Sequence, residues 1–266
     1  MKNATEYAKK LRRALAGARA AAARSPSRVP NTDVTGHIIL SQLMRFAPDG
    51  PAAAGFRRIR EATVDVNELR VTTIAELIDM VGSDFPQARV AAEAVLRALN
   101  AVFNRCHHLD LAFLQNMGKR EAREWLDSLD GMTPFSAAVV VMRALGHHAV
   151  PIDDVTLEWL RSEKLIDPTA DTPTVQAFFE RLVPSGREET WFTALRRVAW
   201  TRGSRRARPV PADNASPTPP PTHAPAKPVR AVRKRPARVN SSRRATARAK
   251  PAARSSRKKR RTSSRK

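Results

Sequence analysis

The sequence predicts an all-α protein that ends in a basic tail without a core. Apolar residues recur at the helical spacing through the first 201 residues, and no segment shows a convincing strand-like alternation of apolar and polar residues. Proline or glycine stands near the ends of several apolar stripes, as is usual where helices begin and end. Beyond Trp200 the chain has no Phe, Tyr or Trp, and ten of its twenty prolines follow Arg202. Such a composition cannot bury a core, so we expect residues 202–266 to be disordered.

Three helices are predicted in the first hundred residues. Residues 3–24 are Ala-rich and basic with little apolar bulk. We expect a helix there that forms only when it is packed or bound to DNA, because isolated helices of this length are marginal in water. The apolar stripe over residues 74–81 ends at Gly82, which is suited to a left-handed helix cap. A longer helix is expected to open at Pro86, with its cap at residue 83 or 84.

A pair of helices joined by a tight turn is predicted at residues 119–146. The first helix runs from Lys119 to Leu129, and the second, which is apolar almost all round, runs from Phe135 to Leu145. Thr133 is suited to the N-cap of the second helix and Pro134 to its first position. Further apolar stripes predict helices over residues 155–165, 175–182 and 191–198.

The net charge of +23 is concentrated at the C-terminal end. Residues 202–266 contain 22 Lys and Arg against one acidic residue, whereas residues 30–201 contain 18 bases and 23 acids. We therefore divide the chain into a basic Ala-rich arm over 1–30, a helical domain over 31–201 and a tail over 202–266. The tail resembles the C-terminal tail of linker histones. Because phosphate affinity comes largely from Lys and Arg, the tail is predicted to provide most of the affinity for DNA. The alternative is a targeting or solubility role.

The composition gives little support to a cofactor, a metal or a membrane. Cys106 is the only cysteine, so no intrachain disulfide forms and a reducing compartment is the default. The histidine pairs at 107–108 and 147–148 lack further ligands at metal spacing, and we interpret them as exposed loop residues. No apolar run approaches the length of a membrane span. We expect no cofactor, no metal and no membrane partner.

Two motifs on either side of an apolar helix are the most informative part of the sequence. Leu129-Asp130-Gly131-Met132-Thr133 forms the turn, and Val150-Pro151-Ile152-Asp153-Asp154 follows the helix. Together they resemble the helix-hairpin-helix (HhH-GPD) DNA glycosylase superfamily of base-excision repair, to which endonuclease III belongs. The resemblance covers roughly residues 36–160 and includes Ile38-Ile39-Leu40-Ser41-Gln42, which is similar to the family's early helix. It implies a hairpin that grips a DNA phosphate and an aspartate that assists the chemistry.

Candidate site residues follow from this resemblance. Asp153 is the implied catalytic carboxylate, with a purely structural N-cap as the equal alternative. Gln42 would fill the gap left by an extruded nucleotide, and residues Gly131, Met132 and Thr133 would meet the DNA backbone at a helix N-terminus. Lys119 and Arg120 are candidates for phosphate contacts from the first hairpin helix, although a solvated charged face explains them equally well.

The sequence also departs from the family pattern. Phe135 stands where the family carries its catalytic lysine, and it cannot form the Schiff base with the sugar that strand cleavage requires. Thr133 replaces a glycine, and Asp130 replaces a proline. The four cysteines that hold the iron–sulfur cluster of endonuclease III relatives are also missing. The resemblance therefore implies a protein without AP-lyase activity.

Two functions remain as hypotheses. The first is a monofunctional DNA glycosylase that uses Asp153 to release a damaged base from double-stranded DNA. The alternative is a non-catalytic DNA-binding or nucleoid-associated protein that keeps the glycosylase fold as a scaffold. RNA is a further candidate partner, because charge on the tail does not distinguish it from DNA. We expect a cytoplasmic, nucleoid-associated protein, or a nuclear one if the source is eukaryotic.

Overall fold

A computed structural model describes residues 3–25 and 30–203 of the chain, and the regular elements within these residues are all helices. The all-α prediction is confirmed for this part of the protein. Residues 204–266 lie outside the described residues, so the disordered tail stays a prediction. The helices are α1 (Ala4–Ala14), α2 (Ala16–Arg24), α3 (Val34–Met44), α4 (Asp49–Ala62), α5 (Val66–Val71), α6 (Ile74–Val81), α7 (Ala88–Cys106), α8 (Lys119–Asp127), α9 (Pro134–Arg143), α10 (Asp154–Ser162), α11 (Thr172–Leu182) and α12 (Glu188–Gly203), with a 3-10 helix (Ala112–Asn116) before α8.

Two hydrophobic clusters hold these helices together. The larger one is built mainly from α3, α4, α6, α7 and α9, and the smaller one from α1, α10, α11 and α12. All eleven residues of α3 are buried, and α9 is buried from Phe135 to Met142, as its apolar sequence predicts. These two helices pack on each other, which places the hairpin turn before α9 close to the C-terminal end of α3.

Local capping signals fix several helix ends. The side chain of Thr73 accepts the backbone N–H of Glu76, and the Glu76 carboxylate accepts the N–H of Thr73 in return, a reciprocal capping box at the start of α6. Gly82 ends α6 as predicted, but with φ of 104° and ψ of 134° instead of the left-handed helical conformation expected of the cap. The prediction for α7 is wrong by two residues, because the helix begins at Ala88. Gln87 precedes it in the left-handed conformation, and no side chain caps this end.

The N-terminal arm is folded onto the domain. It forms two helices, with a bend at Leu15 where the single predicted helix would have continued. Leu11 and Leu15 are fully buried in the smaller cluster. Burial of each leucine contributes about 1.5–3 kcal/mol as an upper range. This docking stabilises an otherwise marginal basic helix.

The histidine pairs differ from each other. His107 and His108 are exposed, as expected. The expectation is wrong for the second pair: His147 Nε2 lies 3.3 Å from the carbonyl of Met117, and His148 is held between the carbonyl of Glu180 and the carboxylate of Glu188. The contacts of His148 raise its pKa, chiefly through the hydrogen bond with the Glu180 carbonyl and further through the Glu188 carboxylate. Within the described ranges, no helix is long and apolar enough to cross a bilayer.

Candidate nucleic-acid interface and the Asp153 site

The hairpin turn is closed by a side-chain cap. Thr133 Oγ1 accepts the backbone N–H of Ser136 at 3.1 Å, and Pro134 occupies the first turn of α9. Both features agree with the sequence prediction. The threonine hydroxyl is therefore already engaged in helix capping, at the end of α9 where helix geometry favours an anion.

Gly131 is required in this turn for two physical reasons. Its φ is +80°, a conformation that costs an L-residue free energy. A Cβ at this position would also lie 3.0 Å from Cγ of Arg97 and 3.4 Å from the backbone nitrogen of Ala98. The turn therefore sits directly against α7, and the glycine serves this close packing whether or not a phosphate binds.

Asp130 does not present an unopposed negative charge. Its carboxylate accepts a hydrogen bond from Nε of Arg97 at 2.8 Å, and this contact holds the pKa of Asp130 below its ordinary value. Both side chains are solvent-accessible. Arg97 thus offsets the charge that the sequence places next to the turn. No sequence signal points to this pairing, because the two residues are separated by a helix and a loop.

Gln42 and Met132 lie on the inner side of the turn. Gln42 is 0 % exposed, and its Nε2 donates to the carbonyl of Gly131 at 3.2 Å and lies 3.3 Å from Sδ of Met132. Its Oε1 accepts from Arg45 at 3.0 Å. In this arrangement Gln42 ties α3 to the hairpin. Entering an opened duplex would require it to leave all three contacts.

The predicted cationic residues of α8 are paired with carboxylates. Lys119 Nζ lies 2.7 Å from Oε2 of Glu180 on α11, and Arg120 pairs with Glu124 at 2.8 Å on its own helix. Arg120 is almost fully exposed. Arg123, one turn further along, reaches the carbonyl of Pro134 at 3.1 Å and so holds the two hairpin helices together. Of these side chains, Arg120 is the most accessible to a DNA backbone.

Asp153 is the N-cap of α10. Its Oδ1 accepts the backbone N–H of Thr156 at 2.7 Å, the N-cap contact that the sequence offered as an alternative to catalysis. Its Oδ2 accepts the indole N–H of Trp200 at 2.9 Å and is also paired with Arg196. The residue is only 3 % exposed. Both carboxylate oxygens are thus engaged inside the protein.

Arg196 on α12 is the centre of this arrangement, and sequence reasoning missed it. Besides Asp153 it binds Asp49 through Nε at 2.6 Å and the carbonyls of Met44 and Ala47 through Nη2 at 3.0 and 2.8 Å. Only 2 % of its side chain is exposed. Each guanidinium nitrogen has a partner, and these partners come from two separate parts of the chain, residues 44–49 and Asp153. The sequence signal for a buried ion pair was the position of Arg196 within the apolar stripe over residues 191–198.

Phe135 lies beside this arginine in the buried interior. Its ring centroid is 5.5 Å from the guanidinium carbon of Arg196 and 6.3 Å from the ring centroid of Phe192. Phe135, which the sequence resemblance placed at the family's lysine position, is therefore a buried aromatic residue that packs against a cation. It offers no nucleophilic atom.

A cavity of about 390 Å³ opens next to the buried arginine. Its walls combine acidic, basic and aromatic side chains from the start of α4 and the second half of α12. They are Pro48, Asp49, Gly50, Thr193, Arg196, Arg197, Trp200 and Thr201. Asp153 is absent from these walls, since Arg196 and Trp200 lie between it and the cavity.

No family model and no curated protein matches the chain. Among solved structures, endonuclease III trapped in a covalent DNA intermediate matches 71 % of this chain and 84 % of its own, with a TM-score of 0.53 and 14 % identity. The 3-methyladenine DNA glycosylase of H. pylori, bound to 1,N6-ethenoadenine, matches 74 % of this chain and 98 % of its own at TM-score 0.53 and 14 % identity. A thermostable thymine-DNA glycosylase matches 72 % of this chain and 87 % of its own, with a TM-score of 0.51 and 16 % identity.

These comparisons establish the fold. The chain has the helical fold of endonuclease III and of these two DNA glycosylases, as the sequence analysis predicted. At this level of identity the likeness extends to the fold alone. The roles of Asp153, Gln42 and the hairpin residues remain predictions.

Proposed function

We propose that this protein binds double-stranded DNA without excising bases, and that it uses the glycosylase fold as a scaffold. One observation carries the proposal: the carboxylate of Asp153 is buried, with one oxygen capping α10 and the other bound by Arg196 and Trp200. The coarser statement, a protein of the DNA-repair glycosylase fold, rests on the structural comparisons.

The chemistry of base release explains why this environment is unfavourable. Breaking the glycosidic bond leaves positive charge on the sugar, and a carboxylate assists by facing that charge or by aligning a water molecule. Here the carboxylate of Asp153 is already paired with the guanidinium of Arg196. The positive charge of this guanidinium would oppose the cation that develops on the sugar. Oδ2 of Asp153 already accepts two donors, and the residue is only 3 % exposed, so water has little access to this carboxylate.

The proposed DNA contacts combine the hairpin with the tail. The N-terminus of α9 presents backbone dipoles suited to a phosphate, and Arg120 is exposed on the adjoining helix. Residues 30–201 contain 18 bases and 23 acids, so the domain has no excess of positive charge. Its own contacts would therefore give only weak affinity for DNA. The 22 Lys and Arg of residues 202–266 would supply most of the binding free energy, and with it a steep salt dependence.

A monofunctional glycosylase is the second candidate, and the cavity beside Arg196 favours it. Its volume of about 390 Å³ falls in the range of about 300–1,000 Å³ typical of small-molecule sites, and Trp200 offers a ring on which a base could stack. For catalysis, the Arg196–Asp153 pair would have to open when DNA binds.

Single-turnover base release separates the two candidates. Full-length protein is incubated with duplexes carrying uracil, alkylated purines, oxidised purines or adenine mispairs, and abasic sites are revealed by alkali. We expect no release but measurable binding to each duplex. Release by wild type that is lost in Asp153→Asn would establish the glycosylase instead. Asp171→Asn is the matched control, because Asp171 caps α11 in the same way and lies on the surface.

A further inference from the structure

A second cavity lies at the start of α12 and shares no lining residue with the cavity next to Arg196. Its volume is about 480 Å³, and it is formed where α2 crosses the segment that leads into α12. The walls are small or basic, with one hydroxyl and one indole: Ala16, Arg19, Ala20, Ala23, Pro184, Arg187, Thr190 and Trp191. Two arginines and no acidic residue line this space.

Arg19 is held in place by an aromatic ring and has no polar partner among residues 3–25 and 30–203. Its guanidinium carbon lies 4.1 Å from the ring centroid of Trp191, which is itself buried in the smaller core. This stacking fixes the orientation of the planar guanidinium. Its Nε is shielded from water and makes no hydrogen bond within the described part of the chain. A shielded donor of this kind costs free energy until an acceptor binds it.

The carboxylates nearest in sequence do not neutralise the cavity. Glu188 is bound by His148 and by the backbone N–H of Gly186, and Glu189 is bound by Arg143 at 2.6 Å. Both carboxylates therefore have partners outside the cavity. Arg187, by contrast, is exposed at the rim of the cavity and forms no ion pair with a described residue.

We propose that this cavity binds a phosphate group through Arg19 and Arg187, with Thr190 as an additional donor. Arginine presents its N–H groups in the fork that suits phosphate oxygens, and a stacked guanidinium loses little entropy on binding. The cavity is of the size of a small-molecule site, so the phosphate belongs to a larger molecule or to a nucleic-acid backbone. The proposal is independent of Asp153 and of the function proposed above.

The test follows the indole N–H of Trp191 in ¹H–¹⁵N spectra of the full-length protein, assigned by its loss in Trp191→Phe. Inorganic phosphate is titrated at constant ionic strength against chloride. We expect a saturable shift, unchanged in Arg24→Met and at least about tenfold weaker in Arg19→Met. Methionine keeps an unbranched chain over the indole, and Arg24 is an exposed arginine of the same helix. Arg187→Gln, which leaves the Arg19 stack intact, is expected to weaken binding too.

The source of the phosphate is identified by a second titration with a short DNA duplex. A Trp191 shift that inorganic phosphate competes away assigns the cavity to the DNA backbone. A shift with inorganic phosphate alone assigns it to a small phosphorylated ligand. The proposal is overturned if inorganic phosphate causes no saturable shift, or if Arg19→Met and Arg187→Gln both bind as tightly as wild type. Neither of these titration results affects the test of base release. The phosphate site and the proposed function can therefore fail independently of each other.

Discussion

The guanidinium of Arg196 and the carboxylate of Asp153 form an ion pair in the interior, where 2 % and 3 % of their side chains are exposed. The pair connects the start of α10 with the middle of α12, and through Asp49 it reaches the start of α4. Asp153 therefore has a structural role that does not depend on catalysis. Its presence in a glycosylase-like motif is not by itself evidence of enzymatic activity.

Replacing Arg196 with methionine should strongly destabilise the protein. The substitution leaves Asp153 and Asp49 without their buried cation, and breaking a buried pair in this way costs about 3–5 kcal/mol. The free energy of unfolding is measured by urea denaturation. Arg197→Met is the control, because this neighbouring arginine is exposed. Equal stability of the two variants would show that the buried pair contributes little.

Part of this cost should disappear when Asp153 is neutral. In Asp153→Asn the amide still caps α10, but no carboxylate is left unpaired at that position. We expect the Arg196→Met substitution to cost less in this background than in wild type, by about 1–3 kcal/mol. The four unfolding free energies form a double-mutant cycle. Strict additivity would mean that Arg196 acts through Asp49 and the carbonyls alone.

Gly131→Ala should be more destabilising than Gly146→Ala. Both glycines have positive φ, 80° and 66°, so both substitutions incur a similar backbone cost. Only at Gly131 would the new methyl group meet neighbours, Arg97 and the backbone of Ala98, whereas nothing lies within 4 Å at Gly146. We expect a difference of about 1–3 kcal/mol in the free energy of unfolding. Indistinguishable variants would contradict the close packing of the turn on α7.

The local parts of this fold could be predicted from sequence, and the long-range parts could not. Thr133 and Pro134 specify the start of α9 through their own chemistry, and Gly82 specifies the end of α6 in the same way. The partners of Arg196 and Arg97 depend on how distant helices pack, which no spacing rule encodes. The same applies to Gln42: its place in the early helix was predictable, but its burial beneath the hairpin was not.

Removing residues 204–266 should abolish most DNA binding. The deletion retains all of α12 but removes 21 Lys and Arg against one acidic residue. The slope of log affinity against log salt falls by about 0.9 for each phosphate that the protein no longer neutralises, so the truncated protein should show both weaker binding and a shallower slope. Fluorescence anisotropy with a labelled duplex at several salt concentrations measures both. Tight binding retained by residues 1–203, with selectivity for a damaged duplex, would instead favour the glycosylase.

His37 should make the protein less stable in acid. Burial, together with the positive charge of Arg143, lowers the pKa of His37 from 6.5 to about 4, and its Nδ1 makes no hydrogen bond to a described residue. The unfolded chain then binds a proton at higher pH than the folded chain does. The contribution of neutral His37 is therefore complete above pH 6.5 and is lost as the pH falls towards 4.

The shift in the pKa of His37 sets the size of this loss of stability. It corresponds to about 3 kcal/mol of unfolding free energy between pH 6.5 and pH 4. Urea unfolding of wild type, His37→Gln and the exposed-residue control His108→Gln is measured from pH 7.5 to 4. We expect the wild type and the control to lose stability in parallel, whereas His37→Gln, although less stable at neutral pH, shows a flatter profile. Parallel profiles for all three proteins would mean that His37 has the same pKa in the folded and unfolded states, and would contradict the lowered pKa.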